Sequence, residues 1–300
     1  MRIGSPFPTP RSCDEAAIFA DDAEKQEFYE RMPALPVPLD RGRLAKQWLP
    51  DRAELLDIGC GAGYHVRHLA RKAKRVVAID VDRVALRVAR RRVRSSRVTF
   101  LHYDGATLPF ADGSFDAITL LDVLEHVPDR AGLVAEIARV LRPGGLWTVS
   151  VPYRGALRWL SPENMASDYP RLYRALSAAT PVRFWVRGHN ATGQRHHHFS
   201  AADLAALAEG QFVAQRTARR GSLLYGAGYL GLCFPPPLLG RVWASLCYAL
   251  MALDYQVASG PLAYNLAMQF RKLEYQPAEA ILDPHAASVE QPAVKRARAA

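Results

Sequence analysis

Three alternating glycines after a short apolar run, at residues 55–63, constrain the fold of this chain more than any other feature. The run ends in Asp57-Ile58, and the residues after Gly63 carry apolar side chains at helical spacing. This pattern predicts a strand, a tight turn and a helix. Because glycine has no side chain, such a turn lets backbone amides and a helix N-terminus approach a ligand closely. The stretch therefore predicts a binding site for a nucleotide-like or amino-acid-like molecule.

Strands and helices alternate along the rest of the chain. Short β-branched or alternating runs predict strands at residues 54–58, 75–80, 98–102, 115–121, 146–151, 212–217 and 263–272. Amphipathic patterns at 81–94 and 133–141 predict helices between them. Strands joined by crossover helices form parallel sheets with helices on both faces. The first five strands therefore predict a doubly wound α/β fold.

The composition permits a large core and favours an anionic partner. Of 300 residues 49% are hydrophobic, and the formal net charge is +10. This charge favours anionic partners, membrane headgroups or nucleic acid. The helix at 81–94 carries arginines along one face, but no aromatic residues are interleaved with them as in nucleic-acid-binding proteins. We predict a solvated face there and no nucleic-acid partner.

The cysteines and the first residues bear on the cellular compartment. The four cysteines are widely scattered and form no CxxC pair, so neither a disulfide framework nor a structural zinc site is predicted. Residues 1–25 contain prolines and acids rather than a basic segment followed by an apolar one. Both features predict a cytoplasmic protein.

Proline-rich and uncharged stretches divide the chain. An N-terminal lead-in and helix are predicted at 1–35, followed by one domain at 36–275 and a disordered tail at 276–300. Inside the domain the sheet pattern lapses at 152–199, and a connection of that length is typical of a substrate loop or lid. An apolar insertion at 222–262 precedes the last strand.

The spacing of the glycines distinguishes two kinds of cofactor. A nicotinamide dinucleotide site requires G-x-G-x-x-G, with an acid at the end of the second strand. Here Gly59, Gly61 and Gly63 give G-x-G-x-G, and Tyr64 stands where the third glycine of that motif belongs. Asp80 does end the second predicted strand. The incomplete motif argues against a nicotinamide cofactor.

Ordered motifs over about a third of the chain resemble those of class I S-adenosylmethionine-dependent methyltransferases, in the small-molecule type 11 branch. In chain order these motifs are 55–63, Asp80, Asp104-Gly105, 108–116 and 139–145. The resemblance implies a Rossmann-like α/β fold, with a doubly wound, mostly parallel seven-stranded sheet, and S-adenosylmethionine as cofactor.

The same resemblance implies roles for individual residues. Asp57 and the glycine turn would face the methionine part of the cofactor, Asp80 would bind the ribose hydroxyls, and Asp104 would bind the adenine amino group. Carboxylates suit these roles because they accept hydrogen bonds. The implied cofactor-binding residues are Asp57, Gly59, Cys60, Gly61, Gly63, Asp80, Val81, Asp104, Gly105 and Leu121.

Asp122, Glu125 and His126 follow the fourth predicted strand and would share one face of a helical turn. They resemble the E-x-x-E-H signature of quinone-biosynthesis O-methyltransferases, with Asp122 in place of the first Glu. Two carboxylates and an imidazole could hold a divalent metal ion, but similar sequences occur in methyltransferases without an evident metal, and we assign no metal site. We predict His126 as the catalytic general base, with a structural hydrogen bond as the alternative.

Four histidines lie in or near the substrate loop: His189, His196, His197 and His198. A histidine run just before a capping serine is more typical of a solvated or lid segment than of a metal site. In the family that the chain resembles, such a stretch often borders the substrate pocket. His198 and Tyr153 are therefore candidate acceptor contacts.

Residues 222–253 contain a single charge, Arg241, and three prolines divide them. The prolines and glycines of the first half, and the shortness of Val242–Leu253, argue against a membrane-spanning helix. Two alternatives stay open. The segment is either a hairpin that dips into a membrane surface or covers an apolar substrate, or an insertion packed on its own domain or on a second subunit.

These features predict an enzyme that transfers a methyl group from S-adenosylmethionine to a small acceptor. The apolar insertion favours a hydrophobic or membrane-derived acceptor, methylated on oxygen or carbon, with peripheral membrane contact through 222–253. The alternative is a non-catalytic adaptor of the same fold that docks to a membrane or protein through that segment.

Overall fold

The computed structural model describes residues 21–31, 41–105, 107–158, 168–169, 171, 197–233 and 240–274. Within them, seven strands form one sheet in the order β3-β2-β1-β4-β5-β7-β6. The strands are β1 (Glu54–Ile58), β2 (Arg75–Asp80), β3 (Val98–His102), β4 (Phe115–Leu121), β5 (Leu141–Pro152), β6 (Phe212–Arg220) and β7 (Asn265–Lys272). The bounds of the first four strands match the sequence prediction.

The sheet is parallel from β3 to β5, and β7 runs antiparallel to both of its neighbours. This confirms the predicted doubly wound, mostly parallel seven-stranded α/β fold. The carboxyl ends of β1, β4 and β5 therefore share one edge of the sheet with the amino end of β7. Ligands of open α/β sheets bind at that edge.

Eight α-helices surround the sheet in the described residues: α1 (Asp22–Arg31), α2 (Arg41–Trp48), α3 (Val66–Leu69), α4 (Arg83–Arg92), α5 (Arg130–Val140), α6 (Ala201–Ala208), α7 (Leu223–Cys233) and α8 (Gly240–Asp254). Apolar side chains of α5 and α6 pack on one face, around Trp147 of β5, whose ring stacks on Phe270 at 5.1 Å. Helices α2, α3 and α4 pack on the other face. Both faces are thus buried, as a parallel sheet requires.

The fifth strand begins earlier than its sequence predicts. Helix α5 ends at Val140, and Leu141 already pairs with Phe115 of β4. The Pro143-Gly144-Gly145 segment, predicted to end the helix, lies within β5 at an irregularity of the register. Tertiary pairing with β4 thus extends the strand across residues that are poor strand formers on their own.

Two arginines hold the turn between β3 and β4. Arg139 donates hydrogen bonds to the Leu108 and Phe110 carbonyls and to Asp112. Arg142 donates to the Gly113 carbonyl and pairs with Asp116. The 108–116 and 139–145 motifs are therefore partners in space, and together they fix the entry into β4.

Helix α1 covers part of the arginine face of α4. Arg87 pairs with Asp22 at 3.0 Å, and Arg91 pairs with Glu30 at 3.0 Å. The α4 helix begins at Arg83, with Asp82 as its N-cap, so Val81 precedes the helix instead of lying in its apolar stripe. The face predicted to be solvated is thus partly packed against the chain's own N-terminal helix.

The glycine-rich half of the apolar insertion is helical, which its sequence did not predict. Gly228 and Gly231 of α7 face α8, where an added Cβ would come within 2.8 Å of the Cys247 carbonyl and 2.6 Å of its Sγ, respectively. Trp243 of α8 donates a 2.7 Å hydrogen bond to the Gly231 carbonyl. The glycines therefore serve close helix packing. No described helix is long and apolar enough to cross a membrane.

Some predicted features lie outside the described residues. They are the lead-in at 1–12, the first part of the helix predicted at 14–31, most of the loop at 152–199, the three prolines of the apolar insertion, and the tail at 276–300. The predicted domain boundaries stay a prediction.

Candidate cofactor and acceptor site

The glycine turn after β1 has a backbone that only glycine adopts readily. Gly59 has φ 72° and Gly61 has φ 50°, both in the left-handed region. A Cβ on Gly59 would lie 2.2 Å from Val123 Cγ2, whereas one on Gly61 would meet nothing within 4 Å. At Gly59 a side chain is excluded because Val123 packs against this residue. The backbone of Gly61 instead faces open space, and we call this open position the ligand cradle.

Asp80 fixes the turn from the neighbouring strand. Its Oδ2 accepts a 2.7 Å hydrogen bond from the Gly61 amide, and its Oδ1 accepts one of 2.8 Å from the Asp82 amide. The Asp82 side chain in turn caps α4 and accepts from Tyr29 and Lys25 of α1. Although burial raises the pKa of Asp82, the contacts with Lys25 and Tyr29 outweigh it and lower that pKa.

Asp57 is buried under the turn. Its Oδ1 accepts a 2.5 Å hydrogen bond from the Thr119 hydroxyl on the adjacent strand. Burial raises the pKa of Asp57 to about 7, the Thr119 hydrogen bond opposes this, and the charge of Asp80 adds to it. A cation bound above this carboxylate would favour its ionised form.

Cys60 and Gly63 lie in the same turn with mainly structural contacts. Cys60 is buried, and burial together with the charges of Asp57 and Asp80 raises the pKa of its thiol. An added Cβ on Gly63 would lie 3.1 Å from Val93 Cγ2, so this glycine permits close packing of the turn on the end of α4. Leu121, at the end of β4, is buried with the same core cluster as Cys60.

The predicted cofactor residues Val81, Asp104 and Gly105 lie on the loops after β2 and β3. Val81 and Gly105 approach each other, since a Cβ on Gly105 would lie 3.3 Å from Val81 Cγ1. Asp104 is exposed there. Tyr103 was missed by sequence reasoning. Burial, with the charges of Asp80 and Asp104, raises its pKa to about 12.

These residues fit S-adenosylmethionine. Bare backbone with open space at Gly61 suits the methionine part, and the buried Asp57 beneath it suits a positive charge. The exposed Asp104 and the Val81–Gly105 wall suit an adenine ring with an amino group. The sequence-predicted cofactor residues thus lie at the carboxyl ends of β1, β2 and β4 and on the loops after β1, β2 and β3, at one edge of the sheet.

The segment after β4 differs from its predicted form. Asp122 has φ 54°, and the short 3-10 helix Leu124–His126 begins only after it. The predicted helical face of Asp122, Glu125 and His126 is therefore wrong. In the described part of the chain, no three or more His, Cys, Asp or Glu side chains are grouped to hold a metal ion. His126 is exposed, and its role as general base stays a prediction.

Asp122 is held by two other elements. The Ser150 hydroxyl donates a 2.8 Å hydrogen bond to its Oδ1, and Arg41, the first residue of α2, pairs with its Oδ2. The next α2 residue, Gly42, packs on His65 just past the glycine turn, where an added Cβ would lie 2.1 Å from Nδ1. The start of α2 thus contacts both sides of the cleft.

Tyrosines contact one another at the apolar hairpin, α7 and α8. The Tyr225 ring of α7 lies 6.0 Å from that of Tyr264 and 6.1 Å from that of Tyr255. Burial raises the pKa of Tyr248 of α8, and the Tyr64 and Tyr225 hydroxyls add to that shift. Tyr64 follows the glycine turn directly.

Only the last residues of the histidine run lie within the part of the chain that the structure describes. His189 and His196 lie outside the described residues. Phe199 pairs with Tyr153 next to the end of β5, and the Arg219 guanidinium lies 5.3 Å from the Tyr153 ring centre. His198, directly before Phe199, is half-buried. The roles of His198 and Tyr153 as acceptor contacts stay predictions.

Comparison with known proteins identifies a matching family and relatives that share part of this chain. The family described as Methyltransferase domain matches residues 56–149. Methyltransferase GfsG of Streptomyces halstedii is 38% identical over 157 residues, which are 50% of this chain and 51% of that protein. A ubiquinone biosynthesis O-methyltransferase of Pseudomonas aeruginosa is 32% identical over 140 residues, 44% of this chain and 60% of that one.

A third relative, from Mycolicibacterium smegmatis, is named probable S-adenosylmethionine-dependent methyltransferase. It is 43% identical over 101 residues, which are 34% of this chain and 38% of that protein. The chain therefore matches between 38% and 60% of the length of these three relatives.

Solved structures share the fold over more of the chain. One belongs to a complex with the Haloferax volcanii Trm112 methyltransferase activator, with a TM-score of 0.50, 16% identity, and coverage of 84% of this chain and 90% of that one. Another, from Bacillus halodurans, has a TM-score of 0.50, 19% identity, and coverage of 79% and 100%. At these identities the likeness concerns the fold.

Proposed function

We propose that the protein is a class I S-adenosylmethionine-dependent methyltransferase that methylates a small hydrophobic or membrane-derived acceptor on oxygen or carbon. Residues 56–149, which match the family described as Methyltransferase domain, support this. The observation that carries the proposal is the cradle at Gly61, open above the buried Asp57 and tied to Asp80. The relatives named as methyltransferases support it as well.

The protein's part in this reaction is to bind, align and exclude water. The bound cofactor supplies an activated methyl group on a sulfonium. Asp57 and the glycine turn hold its methionine part, Asp80 its ribose and Asp104 its adenine. Holding the acceptor in line with the methyl group, in a dry cleft, can provide most of the acceleration.

The walls of the cleft support a neutral, largely apolar acceptor. Tyr225, Tyr255 and Tyr264 offer aromatic surface. Beside them Asn265 is buried, and its amide nitrogen has no hydrogen-bond partner among the residues that the structure describes. Buried amides are normally paired, so this donor supports an acceptor that carries oxygen. The name of the ubiquinone biosynthesis relative fits such a molecule.

Calorimetry with S-adenosylhomocysteine tests the cofactor part of the proposal. Asp80→Ala should weaken binding at least about 10-fold, because hydrogen bonds to a charged group are lost. Asp51→Ala, which removes an exposed acid on the surface, is the matched control and should bind as the wild type does. Folded wild-type protein that binds neither this ligand nor S-adenosylmethionine would sink the proposal.

Methyl-labelled S-adenosylmethionine and a cell extract test the acceptor part. The wild-type protein should label a small, extractable molecule, and mass spectrometry of the product then identifies the methylated atom. A non-catalytic adaptor, the alternative function, should label nothing. The fit of the cradle to the cofactor argues against that alternative, since an adaptor does not need it.

We also propose a peripheral contact with an anionic membrane through the apolar hairpin. The exposed residues of α8 recur at helical spacing and include Val242, Leu246 and Leu253, which are 68%, 51% and 60% exposed. Leu223 of α7 is 60% exposed as well. An exposed apolar stripe on a protein of net charge +10 suits a surface with apolar chains beneath anionic headgroups.

Flotation with vesicles tests this contact. The wild-type protein should float with vesicles that contain anionic lipid, and less so with neutral ones. Replacing Val242, Leu246 and Leu253 by serine should abolish flotation, whereas Val213→Ser, at an exposed aliphatic residue of β6, should leave it unchanged. Equal flotation of the triple variant would refute the contact, and a concentration-dependent dimer lost in that variant would assign the stripe to a second copy.

A further inference from the structure

Asp122 lies beside the glycine turn, where the methionine part of the cofactor is predicted. It follows the carboxyl end of β4, and its neighbour Val123 fills the space that Gly59 leaves in the glycine turn. Asp57, which lies beneath the turn, pairs with Thr119 three residues before it. Asp122 is thus the first residue of β4's outgoing loop and lies next to the methionine end of the cradle.

The backbone of Asp122 is held in a conformation that costs energy. Its φ of 54° is rare for any residue except glycine, although Asp and Asn tolerate it best. Its amide donates a 3.0 Å hydrogen bond to the Ser150 carbonyl, and its side chain accepts from the Ser150 hydroxyl. Such conformations persist where the surroundings impose them, and they cluster at functional sites. Arg52, which also has a positive φ, lies in an exposed surface turn.

The carboxylate keeps capacity for another hydrogen bond. Ser150 occupies one lone pair of Oδ1, and Arg41 pairs with Oδ2, whereas a carboxylate offers about four acceptor positions. The side chain is 21% exposed, so a ligand in the cleft can reach it. Arg41 supplies a compensating positive charge through its direct ion pair with this carboxylate.

We propose that Asp122 binds and orients the acceptor hydroxyl and takes its proton during methyl transfer. The proposal rests on the proposed function and deepens it for hydroxyl acceptors. As the oxygen forms its bond to the methyl carbon, the carbon–sulfur bond breaks with its electron pair remaining on sulfur. The hydroxyl proton passes to the Asp122 carboxylate and then to water. S-adenosylmethionine is the methyl donor, and no other reactant is needed.

This assignment differs from that of His126. His126 is exposed and lies at the end of the 3-10 helix, four residues after Asp122. Asp122 instead combines an imposed backbone, a paired cation and contact with the segment that packs on the glycine turn. The two assignments predict opposite results for a pair of conservative variants.

The test compares Asp122→Asn, His126→Gln and the control Asp129→Asn in the labelling assay with methyl-labelled S-adenosylmethionine and cell extract. Asparagine tolerates a positive φ at 122 and caps α5 as well as aspartate does at 129. Asp122→Asn should lower labelling at least about 100-fold, as expected for loss of a general base. Its affinity for S-adenosylhomocysteine, by calorimetry, should stay within about twofold of wild type. Asp129→Asn should label normally.

A second variant separates catalysis from folding. Asp122→Gly also suits the left-handed backbone at this position, so it should fold, bind S-adenosylhomocysteine in calorimetry and still fail to label. The proposal is overturned if Asp122→Asn keeps more than a tenth of the labelling, if its cofactor affinity falls in parallel, or if only His126→Gln is inactive. Wild-type protein that binds no S-adenosylhomocysteine, or labels nothing, refutes the proposed function itself and this inference with it.

Discussion

The buried carboxyl of Asp57 couples cofactor binding to a change in its own protonation state. With its pKa at about 7, this side chain is protonated in the folded, ligand-free protein at acidic pH, whereas a cationic ligand favours its ionised form. Below pH 7, binding must therefore expel a proton. Binding at the glycine turn thus requires ionisation of Asp57, which the backbone conformation of the turn does not show.

We expect the affinity for S-adenosylmethionine to fall about 10-fold for each pH unit below 7 and to level off above it. Calorimetry in buffers of different ionisation enthalpy should detect release of about one proton per ligand near pH 6 and none near pH 8. Asp57→Asn should bind weakly and with no such dependence. A pH-independent wild-type affinity would contradict this linkage.

The same carboxyl should make the ligand-free protein less stable as pH rises. The folded pKa is raised, so the folded state binds more protons than the unfolded state between pH 4 and 7. Stability from this group is therefore fully present below about pH 4 and is lost as pH rises through 7, by at most about 4 kcal/mol. At pH 8 Asp57→Asn should melt above the wild type, and a lower melting temperature would refute this.

Single residues could be predicted where the chain itself carries the signal. Asp57 and Asp80 stand at fixed spacings from the glycines, so both were found in the sequence. Thr119 and Ser150 reach their partners through pairing of distant strands, and Arg41 does so through the position of α2. No local pattern marks them, because each becomes part of the site only when the sheet forms.

At the scale of helices, Asp254 joins the two halves of the apolar hairpin. This buried residue ends α8, yet it accepts hydrogen bonds from the Ser222 amide and hydroxyl and from the Tyr225 amide at the start of α7. It therefore caps α7 through Ser222, which lies 32 residues earlier in the chain. This carboxylate thus joins the end of α8 to the start of α7.

Asp254→Ala should lower the free energy of unfolding by about 1–3 kcal/mol, because buried amides at the start of α7 lose their acceptor. Urea unfolding measures this, and hydrogen exchange should locate the loss of protection in α7. Asp51→Ala, on the surface, should change stability by less than about 0.5 kcal/mol. Unchanged exchange in α7 of the Asp254 variant would show that another group caps the helix.

Helix α7 also shows where sequence reasoning stops. Its glycines argued for turns because glycine is a poor helix former in isolation. In the structure Gly228 and Gly231 let α8 approach closely, and that packing outweighs the low propensity. The helix α8 was predicted as the helical half Val242–Leu253 because its pattern is local.

For the whole molecule, the first four strands were predicted to the residue, whereas the position of β7 was not. Alternating strands and helices indicate a parallel sheet, but nothing in the chain indicates that the last strand inserts between β5 and β6. That insertion brings Asn265 and Tyr264 next to the end of β5, where Asn265 pairs with Pro152. These neighbours are set by the strand order, whereas the predicted cofactor residues are marked by motifs along the chain.

This topology predicts that sheet, cofactor site and hairpin unfold together. Saturation with S-adenosylhomocysteine at 100 times its dissociation constant should stabilise the folded state by about 2.7 kcal/mol. Thermal unfolding followed by calorimetry should then give one transition, moved up by about 5–10 °C. The melting temperature of the Asp80→Ala variant should rise much less at the same ligand concentration, because this variant binds less ligand. Two transitions, of which only one responds to the ligand, would show that α7 and α8 form a separate unit, because a ligand stabilises only the unit that binds it.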